Sequence, residues 1–270
     1  MERFSGTVTF ITGASSGIGA ALAREVANQG GDVVLTARRQ ERLESLAAEI
    51  KETGRRALTV TCDVTRNGDL EQAVGKAQEE FGRIDYVIAN AGFGIAGRIE
   101  KLTMEDFRRQ FETNVFGVLR TVQATREHLI ASRGCLAIIG SVNGYIATPR
   151  LSAYSMSKFA VHALADTLRH EFRPYGVSVV LIAPGFVETE IRQIDKQGVY
   201  HPDVRDRIPT WLRTTPEKAA RQIAHAVHRR KHEKVITFHA KIGVFLQRHC
   251  PKLVFMLISR FGTRGRQNQS

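Results

Sequence analysis

Seven short runs of β-branched and other apolar residues recur along the 270-residue chain: TVTFI (7–11), DVVLT (32–36), ALTVT (57–61), IDYVIA (84–89), CLAIIG (135–140), VSVVLI (177–182) and KVITF (234–238). Stretches with helical periodicity separate them, and strands that alternate with helices are joined by crossovers that leave neighbouring strands parallel. Several runs are almost wholly apolar, as strands are when helices cover both faces of a sheet. The alternation predicts one α/β domain, a three-layer, doubly wound, mostly parallel sheet of seven strands.

The helix ends agree with this reading. IGAALAREVANQGG closes on glycines suited to a C-cap, and TPEKAARQIAHAVHRR opens with Thr215 as N-cap and Pro216 at the first helical position. A hydrophobic content of 43% can fill one large core. The segment from about 190 to 214 is polar, contains Pro202 and Pro209 and carries isolated Tyr200 and Trp211. So long an irregular stretch in a compact domain is usually functional, and it is expected to be a substrate loop.

Cys62, Cys135 and Cys250 are too few and too widely spaced for a disulfide framework or a metal site. They read as reduced core thiols of a cytoplasmic protein. The N-terminus, MERFSGTVTFITGASSG, lacks the apolar run of a signal peptide. The net charge of +12 would attract nucleic acid, a membrane surface or an anionic ligand alike. Because the basic residues are scattered and accompany no recognition motif, nucleic acid is not the expected partner.

Chemistry enters with TGASSGIG, Thr12 to Gly19, directly after the first strand. Glycines where a strand turns into a helix allow a tight turn and close approach of the backbone to a pyrophosphate, whose charge the helix N-terminus favours. Further along, Tyr154 and Lys158 stand four residues apart and so share one helical face. An ammonium there favours the phenolate and moves a group with a pKa of about 10 toward working pH. Alone, such a pair is more often a solvated helix face. Ser141, at the end of the fifth strand where open α/β sheets bind ligands, shifts the balance toward catalysis.

These residues resemble the short-chain dehydrogenase/reductase family, and the similarity spans roughly residues 5–240. Thr12 to Gly19 match TGxxxGxG, Asn90, Ala91 and Gly92 match the Asn-Ala-Gly after strand four, and Tyr154 and Lys158 match YxxxK. The upstream serine falls on Ser141 and the helix-four asparagine on Asn114. The resemblance implies a Rossmann-type catalytic domain over 1–240 and a catalytic set of Asn114, Ser141, Tyr154 and Lys158. Tyr154 would give a proton to a carbonyl oxygen that Ser141 binds, while nicotinamide gives hydride to the carbon. Lys158 would also hold the nicotinamide ribose, and Asn114 would organise a water behind it.

The same resemblance implies a cofactor site of Gly13, Ser15, Ser16, Gly17, Ile18 and Gly19, with Asp63 and Val64 beside adenine and Asn90, Ala91 and Gly92 beside the cofactor. Pro184, Gly185, Val187 and Thr189 match the PGxVxT pattern and would fix the nicotinamide amide. After the second strand, LTARRQERL places Arg38 and Arg39 where an acidic residue would accept from an unphosphorylated ribose. An arginine there accommodates a 2′-phosphate, so the cofactor is expected to be NADP(H), with Arg38 as main contact and Ser15 assisting.

Phe93, Ser141, Tyr145, Ile191, Ile194 and Trp211 are expected to line a pocket for an apolar, lipid-like or steroid-like ketone or alcohol. Residues 241–270 form a basic and apolar extension, interrupted by Pro251 and too short to span a bilayer. Packing on the domain or on a partner subunit is the preferred reading, with peripheral contact to an anionic membrane as its rival. The family resemblance implies a homodimer or homotetramer. Two other classes, a basic nucleic-acid-binding protein and a catalytically silent dinucleotide-sensing scaffold, fit less well, since the chain keeps all four catalytic residues.

Overall fold

The computed structural model describes residues 2–192, 201, 203 and 208–261. Seven strands, β1 (Val8–Thr12), β2 (Asp32–Ala37), β3 (Ala57–Thr61), β4 (Tyr86–Ala89), β5 (Cys135–Ile139), β6 (Ser178–Pro184) and β7 (Glu233–Ile236), pair in the order β3-β2-β1-β4-β5-β6-β7. Every pairing is parallel. The order reverses between β1 and β4, and ligands of such sheets bind at the carboxyl ends flanking that switch point.

The helices are α1 (Gly17–Asn28), α2 (Gln40–Glu52), α3 (Asp69–Phe81), α4 (Met104–Phe111), α5 (Gly117–Ser132), α6 (Ser152–Phe172), α7 (Pro216–His228), α8 (Phe238–His249) and α9 (Pro251–Phe261). Successive strand residues point to opposite faces, so each face feeds its own core. Ile11, Leu35, Ile88 and Ala137 pack with Leu22 of α1, Leu43 of α2 and Ile223 of α7. Phe10, Val34, Val87 and Leu136 pack with Leu70 of α3, Val118 of α5 and Val161 of α6. The expected three-layer, doubly wound domain of seven strands is present.

Most strand ends differ from the sequence reading by one or two residues. β4 starts at Tyr86, just after Asp85, whose backbone bonds to Val8 and Cys135 on the two neighbouring strands and whose carboxylate accepts the Val8 N–H at 2.9 Å and pairs with Arg83. β7 stops at Ile236 because Thr237 takes a φ of 78°, turning the chain so that Phe238 opens α8. As expected, the Thr215 side chain caps α7, accepting from the Lys218 N–H at 3.3 Å. Pro251 divides the extension into α8 and α9, and among the described residues no helix is long and apolar enough to cross a membrane.

Candidate active site

Between α4 and α5, residues Glu112–Phe116 wind as a single π turn with Asn114 at its centre. Such a turn inserts one residue and re-aims a side chain. Fully buried Asn114 accepts the Phe93 N–H at 3.1 Å and donates to the Phe93 carbonyl at 3.0 Å and to Ser157 Oγ at 3.1 Å. It therefore ties the segment after β4 to α6. Those three bonds occupy the group that the sequence assigns to a water relay.

Ser141 leaves β5 as the cap of a short 3₁₀ turn, its Oγ accepting from the Asn143 N–H at 3.1 Å. An accepting hydroxyl keeps its own hydrogen for another oxygen. Its backbone N–H points to Nε2 of His162 at 3.4 Å, and the imidazole fills the space under the turn: a Cβ on Gly144 would lie 2.3 Å from it. Burial first, and then the Lys158 charge, lower the His162 pKa to about 4, so the ring is neutral and accepts at Nε2. The sequence reading counts the apolar-rich remainder of the helix after Lys158 as scaffold and misses His162. Its signal was the continuation of the same helical stripe, Tyr154, Lys158 and then His162.

Tyr154 and Lys158 occupy the first two turns of α6. The Lys158 Nζ lies 5.7 Å from the centre of the Tyr154 ring and donates to the carbonyl of Ile139 at 2.9 Å. Burial alone lowers its pKa to about 8. Gly94 lies against the tyrosine ring, where a Cβ would make an ordinary contact at 3.4 Å from Cδ2.

The glycine-rich turn is held as closely. Asn90 donates from Nδ2 to the carbonyls of Thr12 and Gly13, and the N–H groups of Asn90 and Ala91 both point to Thr12 Oγ1. Gly13 and Gly17 take φ of 67° and 56°, and a Cβ on Gly13 would meet Ala91 at 2.8 Å. At the start of α1, Ser16 gives the helix no side-chain cap and the first turn holds no acidic residue. Uncapped N–H groups at a glycine-lined helix start suit a pyrophosphate. Thr189 packs beside Gly17, and half-buried Ile18 packs on the core. Buried Val187 bridges to Thr214, and the Gly185 N–H, after Pro184, donates to Ile236. Asp63 uses its carboxylate on Thr65, while Val64 packs on Gly117. Gly92 is exposed.

Arg39, rather than exposed Arg38, reaches the glycine-rich turn, with bonds to Ser16 Oγ at 2.8 Å and to Ser15 Oγ at 3.1 Å. The backbone at the end of β2 directs the second of the two arginines inward, a choice that adjacent identical residues conceal.

The family profile described as short chain dehydrogenase matches residues 7–198. The chain belongs to the short-chain dehydrogenase family. It is an oxidoreductase on a fold that binds a nicotinamide dinucleotide. Among its relatives, 11-beta-hydroxysteroid dehydrogenase A of Sesamum indicum is 32% identical over 265 residues, covering 94% of this chain and 74% of that protein. Uncharacterized oxidoreductase YxnA of Bacillus subtilis is 33% identical over 269 residues, covering 96% and 73%. An alcohol dehydrogenase of Thermococcus sibiricus, complexed with 5-hydroxy-NADP, superposes with a TM-score of 0.76 at 30% identity, covering 85% of this chain and 95% of that one. A family member from Burkholderia phymatum in complex with NAD gives 0.82 at 25% identity, covering 94% and 96%.

In this short-chain dehydrogenase, an apolar cavity of about 1420 Å³ opens between the loop at Gly97, α6 and α9. Tyr145 is the one expected pocket residue in its wall; Phe93, Ser141 and Ile191 lie elsewhere, Trp211 is exposed, and Ile194 falls outside the described residues. The segments 97–100 and 145–152 form much of the wall, and Met156 and Phe159 of α6 and Val254, Phe255 and Ile258 of α9 add large apolar side chains. Their spacing along each helix was the available signal. α6 thus carries two stripes, one bearing Tyr154 and Lys158, the other facing this cavity. Arg248 fastens α8 beside it, pairing with Glu233 at 2.6 Å and lying 5.1 Å from the centre of the Tyr145 ring.

Proposed function

We propose that this chain is an NADP(H)-dependent carbonyl reductase or alcohol dehydrogenase for apolar ketones or alcohols, with Tyr154 as general acid/base. The observation that carries the reading is the buried Lys158 ammonium, held on Ile139 and close beside the Tyr154 ring. A bound nicotinamide would supply hydride to, or take it from, the substrate carbon. Lys158 lowers the cost of the Tyr154 phenolate and so lets the phenol release its proton to the carbonyl oxygen. Ser141, with its hydroxyl hydrogen uncommitted to Asn143, donates to the same oxygen; His162 and Asn114 position Ser141 and the Phe93 segment.

Arg39 just after β2, Arg42 in the first turn of α2 and Ser15 of the glycine-rich turn support a cofactor with a 2′-phosphate. The apolar cavity beside Tyr145, and relatives named as hydroxysteroid dehydrogenases, support a steroid-like or lipid-like substrate. The test is turnover of apolar ketones with NADPH. Tyr154→Phe should lower kcat at least 1,000-fold while NADPH still binds, and substantial remaining activity would overturn the assignment.

Exposed Met104 and Phe116 on α4 and the π turn support a homodimer or homotetramer. Exposed Phe238, Phe245 and Met256, in a segment with no acidic residue after Glu233, support peripheral contact of a cytoplasmic protein with an anionic membrane, the rival to packing of the extension on the domain or a partner subunit. Light scattering and liposome flotation test the two surfaces.

A further inference from the structure

We propose that Glu190 is a built-in competitor for the cofactor's 2′-phosphate, its carboxylate holding the anion site that Arg39 and Arg42 form beside the glycine-rich turn. The inference rests on the NADP(H) reading and adds to it a residue that sets how tightly the phosphate binds. Glu190 Oε2 lies 3.0 Å from Arg39 Nη1, and Oε1 lies 2.7 Å from Arg42 Nη1. The same Arg39 guanidinium donates to both serines of the turn. One carboxylate thus spans two arginines at the end of β2, where an open sheet of this kind reads the adenosine ribose.

Glu190 comes from the other side of the switch point, 151 residues along the chain from Arg39. It is delivered by a short, anchored segment: the Glu188 N–H donates to Thr214, Val187 bridges to Thr214, and Thr189 packs beside Gly17. A tether of that kind keeps the carboxylate at a high effective concentration over its site. Burial works against its charge, but hydrogen bonds from Arg42 and Arg39 outweigh it and hold the carboxyl below the usual carboxylate range. It is therefore an anion throughout the neutral pH range.

The arginine side chains are 39% and 42% exposed, so water screens both pairs and they are displaceable. A phosphate monoester carries close to two negative charges and more acceptor oxygens than a carboxylate, and it can engage arginine with two parallel bonds. Phosphate and Glu190 would compete for one pair of cations. If the carboxylate holds the site about nine-tenths of the time, apparent affinity for the phosphate falls about tenfold. An unphosphorylated dinucleotide, which makes no claim on the arginines, would escape that penalty.

Calorimetric titration of the full chain with adenosine 2′-monophosphate, adenosine 5′-monophosphate and NADPH tests the proposal. Glu190→Gln keeps the side-chain shape and removes the charge. It should tighten adenosine 2′-monophosphate and NADPH about tenfold and leave adenosine 5′-monophosphate within twofold. Unchanged or weaker binding of the 2′-phosphate would overturn the competitor role, since a carboxylate that merely orients Arg39 gives weaker binding when lost. Arg39→Ala in the same titration separates the two claims: no loss of 2′-phosphate affinity there would sink the NADP(H) reading itself.

Discussion

The Lys158 ammonium donates to the carbonyl oxygen of Ile139 at 2.9 Å, so the last residue of β5 holds the charge that α6 brings to Tyr154. Burial lowers that lysine from 10.5 to about 8. Between these two values the unfolded chain binds the proton and the folded chain does not, so the lysine's effect on stability becomes more favourable as pH rises from 8 to 10.5. The full effect is about 3 kcal/mol at ~1.4 kcal/mol per pH unit. Urea melts should show wild type gaining on Lys158→Met over that interval; parallel profiles would contradict it.

His162 gives the opposite limb. Its pKa, lowered from 6.5 to about 4 by burial and by Lys158, means that the unfolded chain takes up the proton first as pH falls. Stability is lost from pH 6.5 down toward 4, by up to about 3 kcal/mol. His162→Asn should flatten this part of the curve.

Gly144→Ala should act through His162. The new Cβ would lie 2.3 Å from the imidazole, which lies under the turn that presents Ser141. Steady-state kinetics should show kcat down at least tenfold with affinity for the dinucleotide little changed, because the glycine-rich turn is untouched.

Asn114→Ala removes the buried acceptor of the Phe93 N–H and the donor to Ser157. An orphaned buried backbone donor costs about 1–3 kcal/mol, and thermal melting should report a loss of that size.

Alkylation should distinguish the three thiols. Burial raises Cys62 and Cys135 to about 12, whereas Cys250 is exposed. In the native protein iodoacetamide should modify Cys250 first; Cys62 and Cys135 should react only on unfolding. This corrects the expectation that all three are core thiols.

The strand alternation carried the fold because apolar runs covered on both faces have few alternatives in a chain this long. TGASSGIG, Ser141 and YxxxK carried the chemistry for a similar reason: each stands at a strand end or on one helix stripe, places that periodicity locates. What stayed hidden depends on side-chain direction. Two adjacent arginines look alike until the backbone after β2 sends Arg39 inward and Arg38 outward. His162 and Glu190 are ordinary polar residues in the sequence. They acquire meaning only when tertiary contacts put one under Ser141 and the other between Arg39 and Arg42.

The π turn at Glu112–Phe116 has one residue more than regular α winding would need. Removing a single residue there would restore ordinary winding and abolish the bulge that aims Asn114. Asn114 could then no longer meet both Phe93 and Ser157. A one-residue deletion would thus disarm the site with every one of its side chains still present: here the length of a helix matters as much as the identity of any residue on it.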